Sequence, residues 1–308
     1  MDTLSNKLKE WSDGISRKEK YHYFRKKFTP FVFIGPALLL MAIVLLYPLI
    51  FSFKLSFQEW HMLKQEQPVW NGIQNYITLL TSSDFWHSLG LQAAFVGISV
   101  SLELTIGFAV AILFNRDFWG SKIARALLLL PIFVLPVISG LTFRFMYNPQ
   151  YGAINFILKK LGLPAIAWLS RPGSAFAAII IQDIWRMWPF MFILLYAGLT
   201  TLPKEPYEAA TLDGASGWDI FVHITVPLMK PTILIAIILR TVDALKAFSE
   251  IFVMTNGGPG NATTLLSVHI YKNAFKFWDL GYSAAASYAL VAMALILSVV
   301  LVKNMFTE

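Results

Sequence analysis

Eight charged residues lie inside or at the edges of long apolar stretches. They are Glu103, Arg144, Asp183, Arg186, Arg240, Asp243, Lys246 and Glu250. An isolated charge in the hydrocarbon of a membrane costs about 3 kcal/mol or more. Each of these side chains must therefore face a protein interior, a water-filled path or a charge of opposite sign.

The spacing of these charges predicts two polar helix faces. One face combines Arg240, Asp243, Lys246 and Glu250, which step by three, three and four residues and so share one side of a helix. A first interpretation makes the faces walls of a path for a polar solute, where carboxylates and amides bind hydroxyl groups and tryptophans stack on rings. The residues assigned to this path are Gln182, Asp183, Trp185, Trp188, Asp243, Lys246 and Glu250.

A second interpretation is structural, with internal ion pairs that neutralise one another, join helices or bind a sister subunit. It is the favoured interpretation for Asp183 and Arg186, whereas both interpretations stay open for Asp243 and Lys246. Glu250 lies nearer the outer end of its stretch, where a further interpretation is a side chain in water.

Composition excludes several kinds of chemistry. The 308 residues contain no cysteine, which excludes disulfides, iron–sulfur clusters, thiol catalysis and thiolate zinc sites. The five histidines are scattered without ligand spacing, so no metal site is predicted. No P-loop of the form Gly-x-x-x-x-Gly-Lys-Ser/Thr occurs, and no grouping of nucleophile and base indicates an enzyme.

Hydropathy predicts an all-α membrane protein. Hydrophobic residues make up 56% of the chain and charged residues 14%, whereas soluble proteins average roughly a quarter charged. Six apolar stretches have close to the 20 or so residues that cross a bilayer. One transmembrane domain is predicted over 30–302, between a basic arm (1–29) and a short tail (303–308). The predicted spans cover about 30–53, 89–114, 123–146, 174–198, 231–254 and 281–302.

Orientation in the membrane explains the net charge of +7 better than nucleic-acid binding does, because the basic residues flank apolar stretches and form no single stripe. Lys and Arg are concentrated in the arm and in alternate connections, which predicts that both termini are cytoplasmic. The first stretch is too long for the core of a cleavable signal. The arm is either an amphipathic helix on the membrane or a solvated basic tail.

The connection over 202–231, between the fourth and fifth spans, is long for a helical bundle and too apolar for disorder. Pro206 suits the first turn of a helix, and Gly214 suits the left-handed position that ends one. A short helix is therefore predicted between these two residues.

A second short helix is predicted from about Gly217 to Ile224. Pro227 and Pro231 should then force a corner before the fifth span. The apolar face of this helix needs a cover, such as a groove on a soluble partner. The residues of that face are Trp218, Phe221 and Val222.

The same connection resembles the EAA loop of binding-protein-dependent ABC importer permeases, in the longer form typical of sugar permeases. The matching residues are Glu208, Ala209, Ala210, Asp213, Gly214 and Ala215, followed by Ile224 and Pro227. Val226 replaces the leucine most common before that proline. In the family this loop is a coupling helix that sits in a cleft of the ATPase subunit. The resemblance implies the same contact for residues 208–210 and 213–215.

The resemblance extends over most of the chain. Residues 252–259, which end in Asn-Gly-Gly-Pro, are similar to the external turn after the fifth span of sugar permeases. Residues 281–285 are similar to the beginning of the last span. The glycine-rich turn implies a subunit that pairs with a second, different permease.

By this resemblance we expect six transmembrane helices in the type I ABC importer permease fold, within the inner or plasma membrane of a prokaryote. The chain would be a transport subunit and no enzyme, working with a second permease, two ATPase subunits and an external solute-binding protein. ATP and Mg would bind the ATPase, with no cofactor on this chain. The implied substrate is a sugar or related polar solute. Membrane lipid is expected to surround the chain, and nucleic acid is not expected as a partner.

An ion-gradient-driven secondary transporter is the alternative. It would use Asp183, Asp243 and Glu250 as proton or sodium sites. Such a transporter predicts internal symmetry and broken helices, neither of which the sequence shows. It also leaves the patterned 202–231 connection without a role.

Overall fold

The computed structural model describes residues 29, 31–116 and 118–306, which are mostly helical. The predicted arm, apart from Thr29, and the last two residues of the tail lie outside this part. Within it, five helices are long and apolar enough to cross a membrane, and one bent helix pair makes a sixth candidate span. The long helices are α1 (Phe31–Leu55), α3 (Ser83–Phe114), α7 (Pro172–Thr200), α9 (Gly217–Leu245) and α12 (Leu280–Phe306).

The chain forms two compact units, Met1–Leu55 and Ser56–Glu308. The first unit contains α1, which includes a π-helical turn over Ala42–Leu46. The second contains a short antiparallel hairpin and the remaining helices. The shorter elements are β1 (Gln58–Glu59), β2 (Val69–Trp70), α2 (Gln74–Thr81), α4 (Ser121–Leu128), α5 (Pro136–Met146), α6 (Ala153–Lys160), α8 (Glu205–Leu212), α10 (Ser249–Thr255) and α11 (Leu266–Phe275).

Helices α3 and α7 pack closely along the core of the second unit. A Cβ added at Gly107 would lie 2.7 Å from Cβ of Met191, so only glycine permits this approach. In a membrane, close packing of this kind stabilises helix pairs through van der Waals contact, because lipid is as apolar as the side chains themselves. Buried core residues include Phe95, Ile179, Phe192, Leu195, Met229 and Leu245.

The third predicted span, 123–146, is not one straight helix. Ser121–Phe133 and Pro136–Met146 meet at an angle of 92°. Leu135 is extended because the ring of the following proline disfavours a helical conformation there. Broken helices therefore occur in this chain, against the expectation from the sequence.

The fifth predicted span, 231–254, is also wrong as one helix, since α9 ends at Leu245 and α10 begins at Ser249. Side chains from other helices satisfy the carbonyl groups at this break. Gln92 Nε2 donates to the Ala244 carbonyl (3.1 Å), and Ser267 Oγ donates to the Ala247 carbonyl (2.5 Å). A helix can end inside a core when its free carbonyls find such donors.

Candidate functional site

The first helix of the 202–231 connection, α8, begins and ends as the sequence predicts. Pro206 lies in its first turn, where the missing N–H costs no hydrogen bond. Gly214 has φ +76° and follows the helix. The Ala215 N–H donates to the Ala210 carbonyl (2.9 Å), which closes the helix end with a Schellman motif.

A capping box begins α9 directly after this turn. The Asp219 N–H donates to Ser216 Oγ (3.2 Å), while the Ser216 hydroxyl and N–H donate to the Asp219 carboxylate at 2.5 and 3.2 Å. The hydroxyl bond, followed by the backbone bond, lowers the pKa of Asp219. Hydrogen bonds at the end of α8 and at the beginning of α9 thus fix the conformation of the turn between the two helices.

The predicted corner at Pro227 and Pro231 is wrong, because α9 continues through both residues. A π-helical turn over Phe221–Thr225 precedes the prolines. The Val226 N–H there donates to the Phe221 carbonyl, five residues back, so the helix is already widened where Pro227 enters. The second loop helix and the first part of the fifth span therefore form one continuous helix.

Further contacts join the connection to the rest of the second unit. The ring of Phe221 packs on that of Phe108 of α3, with centroids 5.6 Å apart. The hydroxyl of Tyr207 on α8 donates to Thr225 Oγ1 on α9 (3.2 Å).

The outward side of the connection carries large apolar side chains beside small and acidic ones. Leu212 is 90% exposed and Trp218 is 71% exposed. Of the residues matched to the EAA loop, Ala210 and Ala215 are half-buried. The exposed ones are Glu208, Ala209, Asp213 and Gly214. Large exposed apolar side chains beside small residues are a common feature of docking surfaces for other proteins.

A second cluster of functional interest is a buried charge network centred on Arg240 of α9. Its guanidinium donates to both carboxylate oxygens of Glu103 on α3, from Nε at 2.7 Å and Nη2 at 2.9 Å. It also pairs with Asp183 of α7, and all three side chains are buried. Asp243, which is half-exposed, approaches Arg240 at 3.4 Å. Arg240 thus connects three long helices.

Arg186 of α7 forms the adjoining pair with Glu250 of α10, at 3.4 Å. Glu250 is 3% exposed, so the interpretation that it lies in water is wrong. The prediction that Glu250 shares one helix face with Arg240 is wrong as well, because α9 ends before it. The pair joins α10 to the core instead.

The other residues assigned to a solute path fall into two groups. Gln182 is buried and donates from Nε2 to Ser139 Oγ (2.7 Å), and the Trp188 ring packs beside Phe192. The accessible group is Trp185, Asp243 and Lys246, of which Trp185 and Lys246 are exposed. The structure therefore brings Asp183, Glu250 and the half-exposed Asp243 into ion pairs, whereas Trp185 and Lys246 lie outside them.

Sequence reasoning named Glu103 as a charge inside a span but gave it no partner. Nothing in the sequence indicated that Ser139 accepts a hydrogen bond from Gln182. Among the described residues, no group of three or more His, Cys, Asp or Glu could hold a metal ion.

Comparison with known proteins identifies the chain. Residues 103–307 match the family described as "Binding-protein-dependent transport system inner membrane component". The chain belongs to this family. It is therefore a transport subunit, an ABC importer permease, and not an enzyme.

Curated relatives of this permease cover almost its whole length. It is 38% identical over 291 residues to the trehalose/maltose transport system permease protein MalF of Thermococcus litoralis, covering 94% of this chain and 96% of the relative. It is 34% identical over 276 residues to the sulfoquinovosyl glycerol transport system permease protein SmoG of Agrobacterium fabrum, covering 89% of each.

Solved structures share the fold of this permease. A chain of a bacterial ABC transporter involved in the import of the acidic polysaccharide alginate matches with a TM-score of 0.80 and 22% identity, over 94% of this chain and 100% of that chain. At this identity the match shows the fold alone.

Proposed function

We propose that this permease forms half of the translocation path for a sugar or related polar solute, which an external solute-binding protein delivers. The printed names of its relatives, which include trehalose, maltose and sulfoquinovosyl glycerol systems, support the sugar class. The other half of the path is a second permease. The proposed assembly has six spans, with both termini in the cytoplasm of a prokaryote, within its inner or plasma membrane.

The 202–231 connection is proposed to couple this path to a separate ATPase, which binds ATP and Mg, with two ATPase subunits per importer. The observation that carries this proposal is that the connection has large exposed apolar side chains and continues into the long helix α9. Because α9 runs without a corner from Gly217 to Arg240, movement of the loop is transmitted to the charge network. Residues 208–210 and 213–215 are proposed to make the ATPase contact.

A glycine substitution tests this coupling. Proline fixes φ near about −65°, so Gly214→Pro should break the turn after α8 and uncouple transport from ATP hydrolysis without preventing insertion. The matched control is Gly162→Pro, since Gly162 follows the eight-residue helix α6 with φ +74°. Uptake and ATP hydrolysis are measured with the whole importer in proteoliposomes. Normal coupled uptake by Gly214→Pro would overturn the assignment.

A further inference from the structure

A polar cavity of about 170 Å³ lies where three segments of the second unit meet. The first turns of α3 supply Asp84 and His87, the loop after α10 supplies Asn261 and Thr264, and α11 supplies a further wall. His87 Nε2 lies 3.4 Å from the Asn261 carbonyl and joins two of these segments. The remaining lining residues are Ser88, His269, Lys272, Asn273 and Phe277.

Hydrogen bonds hold the loop after α10 in one conformation. Thr264 Oγ1 donates to the Gly257 carbonyl (2.9 Å), and Thr263 Oγ1 donates to the Gly258 carbonyl (2.7 Å). Thr255 and Thr263 share a further hydroxyl contact of 2.6 Å. Because a preformed polar cavity loses little entropy when a ligand binds, this loop is suited to recognition.

The walls of the cavity carry one carboxylate and one ammonium group without a charged partner. In the part of the chain that the structure describes, neither Asp84 nor Lys272 has an ion pair within 4.0 Å. Lys272 Nζ donates only to Thr264 Oγ1 (3.3 Å), and burial lowers the pKa of Lys272. Both groups therefore have hydrogen-bonding capacity left for a ligand.

These groups select the charge of that ligand. Asp84 and Lys272 carry opposite charges, so together they give the lining no net charge, and neither an anion nor a cation gains overall from entering. A neutral hydroxyl compound suits such a lining, because each hydroxyl can donate to a carboxylate and accept from an ammonium group. The side chain of Phe277 offers an apolar surface of the kind that covers the face of a sugar ring.

The cavity lies at the end of α3 opposite to the 202–231 connection. Ser83 begins α3 beside the cavity and Phe108 contacts the connection near its other end. A helix of 32 residues is about 48 Å long. If the connection faces the ATPase, the cavity faces the side from which solute arrives.

We propose that this cavity is a receiving site for one ring of a neutral saccharide, ahead of the path through the bundle. This inference rests on the proposed function and narrows its substrate class. It places the permease with uncharged substrates such as trehalose and maltose and apart from anionic ones, such as alginate or the sulfonated sugar of sulfoquinovosyl glycerol. Asp84 and Lys272 hold the hydroxyl groups.

Binding of matched probes to the whole importer in nanodiscs, without the solute-binding protein, tests the proposal. Glucose and glucuronate differ by one carboxylate, and saturation-transfer NMR measures the affinity of each. Glucose should bind more tightly than glucuronate. Asp84→Asn and Lys272→Met should each weaken glucose binding about tenfold, as expected for one hydrogen bond to a charged group. Asp84→Asn should also strengthen glucuronate binding, because it removes the repulsion.

Lys276→Met is the matched control, since Lys276 is an exposed lysine directly after the end of α11 and outside the cavity lining. It should leave the affinity for glucose unchanged. Equal affinity for the two probes, no binding of glucose, or glucose binding that neither cavity variant alters would overturn the proposal. Each of these failures leaves ATP-coupled uptake, and hence the proposed function, intact.

Discussion

Arg240 of α9 and Glu103 of α3 form a two-point ion pair inside the second unit, with nitrogen–oxygen distances of 2.7 and 2.9 Å. Both side chains are fully buried. The planar guanidinium matches the carboxylate fork, so the pair fixes the relative position of the two helices as well as their contact. A movement of α9 must therefore carry α3 with it or break this pair.

Replacing Arg240 should lower the free energy of unfolding of the protein. Arg240→Met leaves Glu103 and Asp183 buried without their cation, and breaking a buried pair costs about 3–5 kcal/mol. Lys246→Met is the control, because Lys246 is exposed on the same chain segment and should cost at most about 0.5 kcal/mol. Thermal unfolding in detergent compares the two variants. Equal stability would contradict a structural role for the network.

Two glycines of α3 should respond in opposite ways to alanine. A Cβ at Gly107 meets the Met191 Cβ at 2.7 Å and the Phe192 backbone nitrogen at 2.8 Å, so Gly107→Ala should cost about 1–3 kcal/mol. Gly97 has no neighbour within 4 Å of such a Cβ, so Gly97→Ala should be neutral or stabilise the helix by up to about 1 kcal/mol. Unfolding midpoints measure both. A larger loss at Gly97 would contradict the packing of α3 on α7.

Trp218 should contribute strongly to ATPase binding. Exposed aromatic anchors often account for 2 kcal/mol or more of a protein interface, so Trp218→Ala should weaken association more than about tenfold. Trp119 is 99% exposed but lies outside the 202–231 connection, which makes Trp119→Ala the matched control. Surface plasmon resonance with the permease pair in nanodiscs measures the affinity. Similar losses in both variants would argue against a specific docking surface.

His269 should make stability depend on pH. Burial is the main cause that lowers its pKa below the ordinary value of 6.5; Lys272 acts in the same direction, and Asp84 opposes both. The unfolded chain then binds a proton that the folded chain resists, so stability is complete above about pH 6.5 and falls as the pH drops towards the folded pKa. Melting temperatures between pH 8 and pH 5 should show this decline. His269→Gln should flatten it, and an unchanged slope would contradict the prediction.

Local signals in the sequence predict much of this structure. The apolar length of α3 and α7, the place of Pro206 in the first turn of α8 and that of Gly214 just after its end all follow from residue type and spacing. Each depends on neighbours within one or two helical turns. The matched EAA residues are predicted by local signals as well, since they lie on and directly after a short helix between two spans.

Features that depend on distant residues could not be predicted in this way. At the break after Leu245, Gln92 and Ser267 donate to the carbonyls of Ala244 and Ala247, and Gln92 lies far away in the chain. The partners of Arg240 were open for the same reason, since the sequence places four carboxylates inside or at the edges of spans and does not show which of them lie close to it. The missing corner at Pro227 depends on a π-helical turn, which no residue pattern indicates.

Site-specific cross-linking tests the central claim most directly, because the chain has no cysteine of its own. Ala209→Cys places one thiol on the exposed side of α8, and Ala153→Cys places one on the exposed side of α6, which is also eight residues long. Each variant, labelled with a photoreactive maleimide in the assembled importer, is illuminated and its adducts are identified by mass spectrometry. An adduct with the ATPase from position 209 alone is the predicted result. No ATPase adduct from position 209, or an equal one from position 153, would contradict coupling through the 202–231 connection.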